Sequence, residues 1–228
     1  MRFAAIETST EWCSVALSLG GEIAALEERA GTRHSELVLP MLRRLLERAR
    51  LDPRALDAVV FGAGPGSFTG LRIACAVAQG LAFAHDLPML GVSTLEAIAE
   101  ESGARRVLAC IDARMHEVYY AALERDCAGV WREVVPARCV APAAVPRPGG
   151  SGWLGCGSGF EVYREPLLEA LSASLRGVAS EVHPSAVALA RLAAPRLEAG
   201  EGVDAAHAVP LYLRDKVALT TEEQQARR

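Results

Sequence analysis

The first thirty residues run in short apolar segments broken by small polar or glycine turns. Residues 2–8 and 13–19 read as strands joined by the hydroxyl-rich turn Thr8-Ser9-Thr10-Glu11, and 22–28 extends the meander after Gly20-Gly21. The period then changes. Leu37, Met41, Leu42, Leu45, Leu46 and Ala49 recur at helical spacing, which predicts a helix over 35–50 with Ser35 as its N-cap. Ala58–Gly62 is a continuous apolar run, the pattern of a buried parallel strand. Beyond a glycine- and proline-rich turn a second helix is expected over 69–85, opened by Thr69. A strand at Met89–Val92 follows, then a third helix capped by Ser93 or Thr94 and reaching 102.

From Arg106 the pattern begins again. Val107–Asp112, Glu117–Leu123 and Val130–Val140 read as strands, Pro142–Gly152 as loop, and 160–173 and 184–199 as helices. Three opening strands exclude a simple Rossmann unit, in which a helix follows the first strand. Two successive β-β-β-α blocks predict a duplicated α/β architecture. The expected division is 1–103 for the first half, 104–218 for a less regular second half, and a polar tail over 219–228 that frays.

Composition narrows the function classes. The net charge is −4 and no basic stripe follows a helix face, which argues against unaided grip on a polyanion. The most apolar stretch, Leu71 to Ala84, is interrupted by Arg72, Gln79 and Gly80 and falls short of the roughly 20 residues a bilayer span needs. Met1–Glu7 reaches an acid before a secretory core could form, so a soluble, cytoplasmic chain with no membrane association is expected. The six cysteines are dispersed, without a C-x-x-C pair, and read as buried thiols.

Two turns carry candidate chemistry. The hydroxyls of Thr8, Ser9 and Thr10 could point at a phosphate, or decorate an ordinary solvated hairpin. In and just before Gly64-Pro65-Gly66-Ser67-Phe68-Thr69-Gly70, the glycines at 62, 64, 66 and 70 permit close approach to another group ahead of a helix N-terminus. The segment lacks the Gly-Lys-Ser/Thr ending of a P-loop, and the G-x-G-x-x-G spacing is absent. Anion cradle and packing turn both remain open. The five histidines are scattered without a metal-binding pair, and no G-x-S-x-G elbow stands at a strand–helix junction, Gly157-Ser158-Gly159 reading as loop. Asp112 and Glu117 flank a hairpin, as a carboxylate pair or as solvated turn charges. The helix after the glycine turn has small residues on several faces, and a helix apolar nearly all round must be buried all round, which points to a second, intermolecular contact.

Ile6-Glu7-Thr8-Ser9-Thr10, Gly64 to Arg72, Gln79-Gly80-Leu81-Ala82 and Pro88 to Glu96 closely resemble the TsaB family, formerly YeaZ. These motifs span most of residues 1–102, and the G-P-G-S-F-T-G-L-R string separates that family from most other members of its superfamily. The second half matches in Ile111-Asp112-Ala113-Arg114 and in overall layout. The resemblance implies an actin/Hsp70/sugar-kinase-like (ribonuclease H-like) fold of duplicated domains. It implies a role in making threonylcarbamoyladenosine next to the anticodon of tRNA, as the non-catalytic heterodimer partner of the transferase TsaD, with a TsaE-type ATPase in a larger complex. tRNA would be reached only through that complex, and two copies of the chain could pair when alone. The TsaD metal-binding histidines fall here on Thr94 and Ile98, neither of which replaces imidazole. No cofactor of its own is implied. An adenine nucleotide could sit at the partner junction, with Thr8, Ser9, Thr10, Gly64, Gly66 and Ser67 as a vestigial site. The expected partner surface is Leu37, Met41 and Leu45 of the first helix with Leu71, Ala74, Ala78 and Leu81 of the second. A small kinase or ATPase of the same superfamily is the alternative, and a glycoprotease-like peptidase the weakest reading.

Overall fold

The computed structural model describes residues 1–214, so the tail expected over 219–228 lies outside the described residues. Strands β1 (Arg2–Glu7), β2 (Trp12–Leu19) and β3 (Glu22–Arg29) form an antiparallel meander. Helix α1 (His34–Ala49) leads to β4 (Ala58–Gly64), α2 (Phe68–His85), β5 (Met89–Ser93) and α3 (Thr94–Glu101). The second half repeats the order with β6 (Arg106–Arg114), β7 (Glu117–Arg125), β8 (Trp131–Val140), β9 (Trp153–Cys156), α4 (Gly159–Val162), α5 (Arg164–Leu171), β10 (Leu175–Ala179) and α6 (Ala186–Glu198). Among the described residues no helix is long and apolar enough to cross a membrane.

The duplication is visible in the strand orders. The first sheet runs β3-β2-β1-β4-β5, and the second, read from its other edge, β8-β7-β6-β9-β10. In each, the central strand pairs antiparallel with its successor and parallel with the fourth. The copies differ in their helices. Where the first half inserts α1, the second has only a single turn at Pro142–Ala144, and the helix expected over 160–173 is the short pair α4 and α5, broken at Tyr163.

Layering follows from the period-2 alternation of the central strands. Ala4, Ile6, Val59 and Phe61 pack with α1 and α2 on one face of the first sheet. Phe3, Ala5, Val60 and Val92 on the other face pack with Ala186, Leu189, Ala190 and Ala193 of α6. Leu95, Ile98 and Ala99 of α3 meet Val107, Ala109 and Ile111 of the second sheet, whose far face is covered by Phe160, Leu167 and Leu171. The last helix of each half thus covers the other half's sheet. The 103/104 division falls between α3 and β6, but α6 and Ala205 to Ala208 pack on the first half.

Helix starts correct two expectations. Ser35 lies inside the first turn of α1, whose N-cap position is Arg33 without a side-chain cap bond. Ser67 rather than Thr69 caps α2, its hydroxyl accepting from the Gly70 N–H. Ser93 caps α3 and Ser185 caps α6.

One side-chain clamp fastens β3 to the approach of α6. His183 Nε2 stands 3.1 Å from Glu27 Oε1, and the imidazole stacks on Trp12 with ring centroids 4.3 Å apart. Glu101 and Glu181 line the same recess. Bonding to Glu27 raises the His183 pKa, and the same bond lowers that of Glu27. The raised imidazole value adds stability below the ordinary His pKa of about 6.5, lost as pH rises through the folded value. The depressed carboxylate value adds stability above about 4.3, lost as pH falls through the folded value. The excess thermal stability of the wild type over His183→Gln should therefore peak near about pH 5.5 and shrink toward pH 8. A difference in melting temperature that is flat across that range would show that the pair contributes no charge-dependent stability.

Candidate functional site

The glycine turn joins the end of β4 to α2, directly beside the end of β1, and polypeptide fills it. The Ser67 N–H donates to the Ser9 carbonyl at 2.7 Å, and the Thr8 hydroxyl donates to the Gly70 carbonyl at 2.7 Å. A Cβ at Gly66 would stand 2.5 Å from the Ser9 carbonyl oxygen, and one at Gly70 would overlap that of Thr8. Glycine is needed at 66 and 70 because another backbone passes where a side chain would start. Gly64 takes φ +110°, in the region that favours glycine, with the Leu211 carbonyl 2.9 Å from where its Cβ would be.

These contacts place the residues of the expected vestigial site. Thr8 and Ser9 are buried, Thr10 accepts from the Trp12 N–H, and the Ser67 and Gly70 amides are both engaged within the protein. The inner side of the turn, where those amides and the Thr8 hydroxyl point, is thus occupied by the β1–β2 connection. The close packing of the packing-turn reading is present at Gly66 and Gly70.

Beneath the turn lies Glu7, fully buried. Its Oε1 accepts from the Ser9 N–H at 2.6 Å, while Oε2 and the Ser9 and Thr94 hydroxyls have no partner among the described residues. Gly62 has no Cβ because the Glu7 carboxylate occupies that space. Burial raises the Glu7 pKa and so favours the protonated acid at this spot. Thr94 and Ile98 are sealed between α3 and its neighbours. No cluster of three His, Cys, Asp or Glu side chains among the described residues is placed to hold a metal ion.

The second half repeats the device, which sequence reading placed in a loop. Gly157-Ser158-Gly159 joins β9 to α4, and Cβ atoms at both glycines would overlap Cys110 in the middle of the central strand β6. The Ser158 hydroxyl accepts from the Asp112 N–H at 3.2 Å, and Asp112 also bonds Tyr163 and Arg114. Asp112 is thereby engaged locally, while Glu117 pairs with Arg214, so the two do not form a carboxylate pair. The apolar run Trp153–Cys156 ahead of two glycines was the available signal for this turn.

The expected partner surface is also redistributed. Met41, Leu45, Ala74 and Ala78 belong to the core beneath the first sheet, and Leu71 packs under Gly64. Only Leu37 and Leu81 reach the rim. The opposite face of α2 is open, with Phe68, Arg72, Ala76, Gly80 and Phe83 exposed at successive turns, Phe83 to 76%. Beside it, Leu39, Leu42, Leu46 and Leu81 line a groove of about 820 Å³ that carries Arg43 and Arg50.

The chain matches the family model described as TsaD, tRNA N6-adenosine threonylcarbamoyltransferase, over residues 26–221. It is 38% identical over 225 residues to the tRNA threonylcarbamoyladenosine biosynthesis protein TsaB of Escherichia coli K12, covering 96% of each chain. The Haemophilus influenzae protein of the same name is 34% identical with 93% coverage of each. Among solved structures, YeaZ from Pseudomonas aeruginosa superposes with a TM-score of 0.86 at 39% identity, covering 93% of this chain and 99% of that one.

Gly70 and Gly80 separate the packed and open faces of α2. Gly70→Ala should destabilise by about 1–3 kcal/mol through overlap with Thr8. Gly80→Ala, with nothing within 4 Å of the new Cβ, should gain about 0.5–1 kcal/mol from helix propensity. Urea unfolding of both variants checks the pair, and equal midpoints would contradict the packing described.

Proposed function

The chain belongs to the TsaB (YeaZ) family, and on that premise we propose that it serves tRNA threonylcarbamoyladenosine biosynthesis as a non-catalytic scaffold subunit. Its partner is a TsaD-type transferase, which supplies the metal-binding imidazoles that Thr94 and Ile98 lack, for transfer to the adenosine beside the anticodon. The observation that carries this reading is the open face of α2. Ala76, Gly80 and Phe83 lie exposed on a helix whose other side is fully committed to the first sheet. Small residues there let a partner helix approach closely, and Phe83 with Leu39 of α1 offers apolar anchors.

The remaining parts of the complex follow from the same reading. A TsaE-type ATPase joins the pair, tRNA is reached through the assembly, and the work is cytoplasmic. Without the transferase, two copies of this chain pair through the same face in a closed, isologous contact. An adenine nucleotide in the complex sits at the junction with the partner rather than inside the filled glycine turn. The kinase alternative predicts ATP and Mg²⁺ binding with turnover by the isolated chain. Calorimetry that showed both would replace the scaffold reading.

Gly80→Arg and Ala76→Arg should abolish co-purification with a TsaD-type transferase and, in a reconstituted reaction, threonylcarbamoylation of tRNA. Neither should lose more than about 0.5 kcal/mol of stability because both positions are on the surface. Ala74→Arg, at a fully buried position, should instead prevent folding. A Gly80→Arg chain that co-purified undiminished would show that this helix face does not meet the transferase.

A further inference from the structure

Beyond α6 the chain returns across the first half as a strap, Ala205–Arg214. Gln79 Nε2 of α2 donates to the carbonyls of Ala205 and Ala208, at 3.1 and 3.0 Å, and both alanines are buried in the core under α1 and α2. Further on, the Leu211 N–H donates to the Ala63 carbonyl at 2.7 Å, at the mouth of the glycine turn. The strap then crosses to the second sheet. The Arg214 guanidinium donates to the carbonyls of Ala113 and Arg114, at 3.0 and 3.4 Å, and pairs with Glu117. Its side chain is only 15% exposed. The β6–β7 turn it grips holds Arg114, Met115 and His116 in succession at φ of 61, 55 and 63°, backbone that side chains adopt only under constraint.

The outer side of the strap continues the open face of α2. Leu211 and Tyr212 are 45% and 46% exposed beside Phe68 at the first turn of that helix. The Phe68 and Tyr212 rings lie 5.9 Å apart, the Arg72 guanidinium stacks 3.8 Å over Phe68, and Arg72 Nε stands 3.4 Å from the Tyr212 hydroxyl. Tyr and Arg are the residue types most enriched among those that dominate interface energies. From this cluster the exposed positions run on through Ala76 and Gly80 to Phe83 along one line of the helix.

We propose that the surface offered to the transferase partner is composite: the open face of α2 together with Leu211 and Tyr212 of the strap. Arg214 is a positioning residue for that surface, holding the strap from the far half of the molecule. The proposal rests on the partner-binding reading above and adds to it a second element and a dependence on the second sheet. The chemistry of the site fits an apolar, aromatic-accepting protein face carrying an acceptor for Arg72.

The test measures affinity for a purified TsaD-type transferase with Tyr212→Ala, Arg214→Ala and the double variant, and amide exchange in the isolated chain. Each single change should weaken binding about tenfold, as truncation or misplacement of an interface anchor does. The double variant should be no weaker than either single one, because both remove the same positioned group. In the isolated chain, Arg214→Ala should speed exchange of the Leu211 amide while leaving the core strands protected. Wild-type affinity for Tyr212→Ala, with Gly80→Arg unable to bind, would overturn the composite surface and leave the partner reading standing. Additive losses, or an unchanged Leu211 amide in Arg214→Ala, would overturn the positioning role of Arg214. No binding by the wild type would overturn the partner reading and the composite surface with it.

Discussion

The two sheets share one helical layer, and the rest of the molecule is arranged around that burial. Helix α3 leaves the first half to cover the second sheet, and α6 returns from the second half to cover the first. Leu192 touches both cores. Neither half could be cut away without baring an apolar sheet face, so the halves are thermodynamically one unit in spite of their duplicated strand order. Hydrogen bonds fix the layer at its ends. The Ala186 N–H donates to Ser14 on β2, and the Ser185 hydroxyl bonds Glu101 at the end of α3.

With one face of each sheet committed to this layer, the outer faces set what the molecule can offer a partner. The second sheet is covered by short helices and a loop, because its copy of α1 has shrunk to a single turn. The first sheet carries two long helices. Their inner stripes are filled by Val38, Met41, Leu45, Ala74 and Ala78, leaving a smooth outer ridge on α2 where small residues alternate with Phe68 and Phe83. The asymmetry between the halves gives only the first a pair of long helices on its outer face.

Much of this was legible. The meander, α1, β4 and α2 follow from a change of period from 2 to 3.6, and the cap of α3 was readable to within Ser93 or Thr94, Ser93 being the one that caps. Strands β9 and β10 were not, since they are only four and five residues long and carry Gly155 and Gly177. The partner residues were misplaced for a physical reason: an apolar stripe at helical spacing marks the face a helix buries in its own protein, so Met41, Leu45, Ala74 and Ala78 had to point inward. The positions left exposed are the small residues off that stripe, Ala76 and Gly80 among them. The strap was hidden because its contacts are carbonyls meeting Gln79, Ala63 and Arg214, pairings that no local pattern records.

The glycine turn then has a mechanical meaning. Four segments converge on it: the end of β1 through Thr8 and Ser9, β4 through Gly64, the first turn of α2 through Ser67 and Gly70, and the strap through Leu211. Each approach is close enough that a Cβ at Gly64, Gly66 or Gly70 would force one segment away. Here the Ser67 and Gly70 amides are spent on Ser9 and on the cap, which ties the first turn of α2 to the β1–β2 connection. What such a joint fixes is the direction in which α2 leaves the sheet. The open side of α2 begins with Phe68, immediately beyond the joint, and any rotation there would swing Phe83 at the far end of the helix. Close packing at residues 64–70 therefore acts on the same surface that the exposed residues form, and links the most tightly constrained part of the molecule to the part left open.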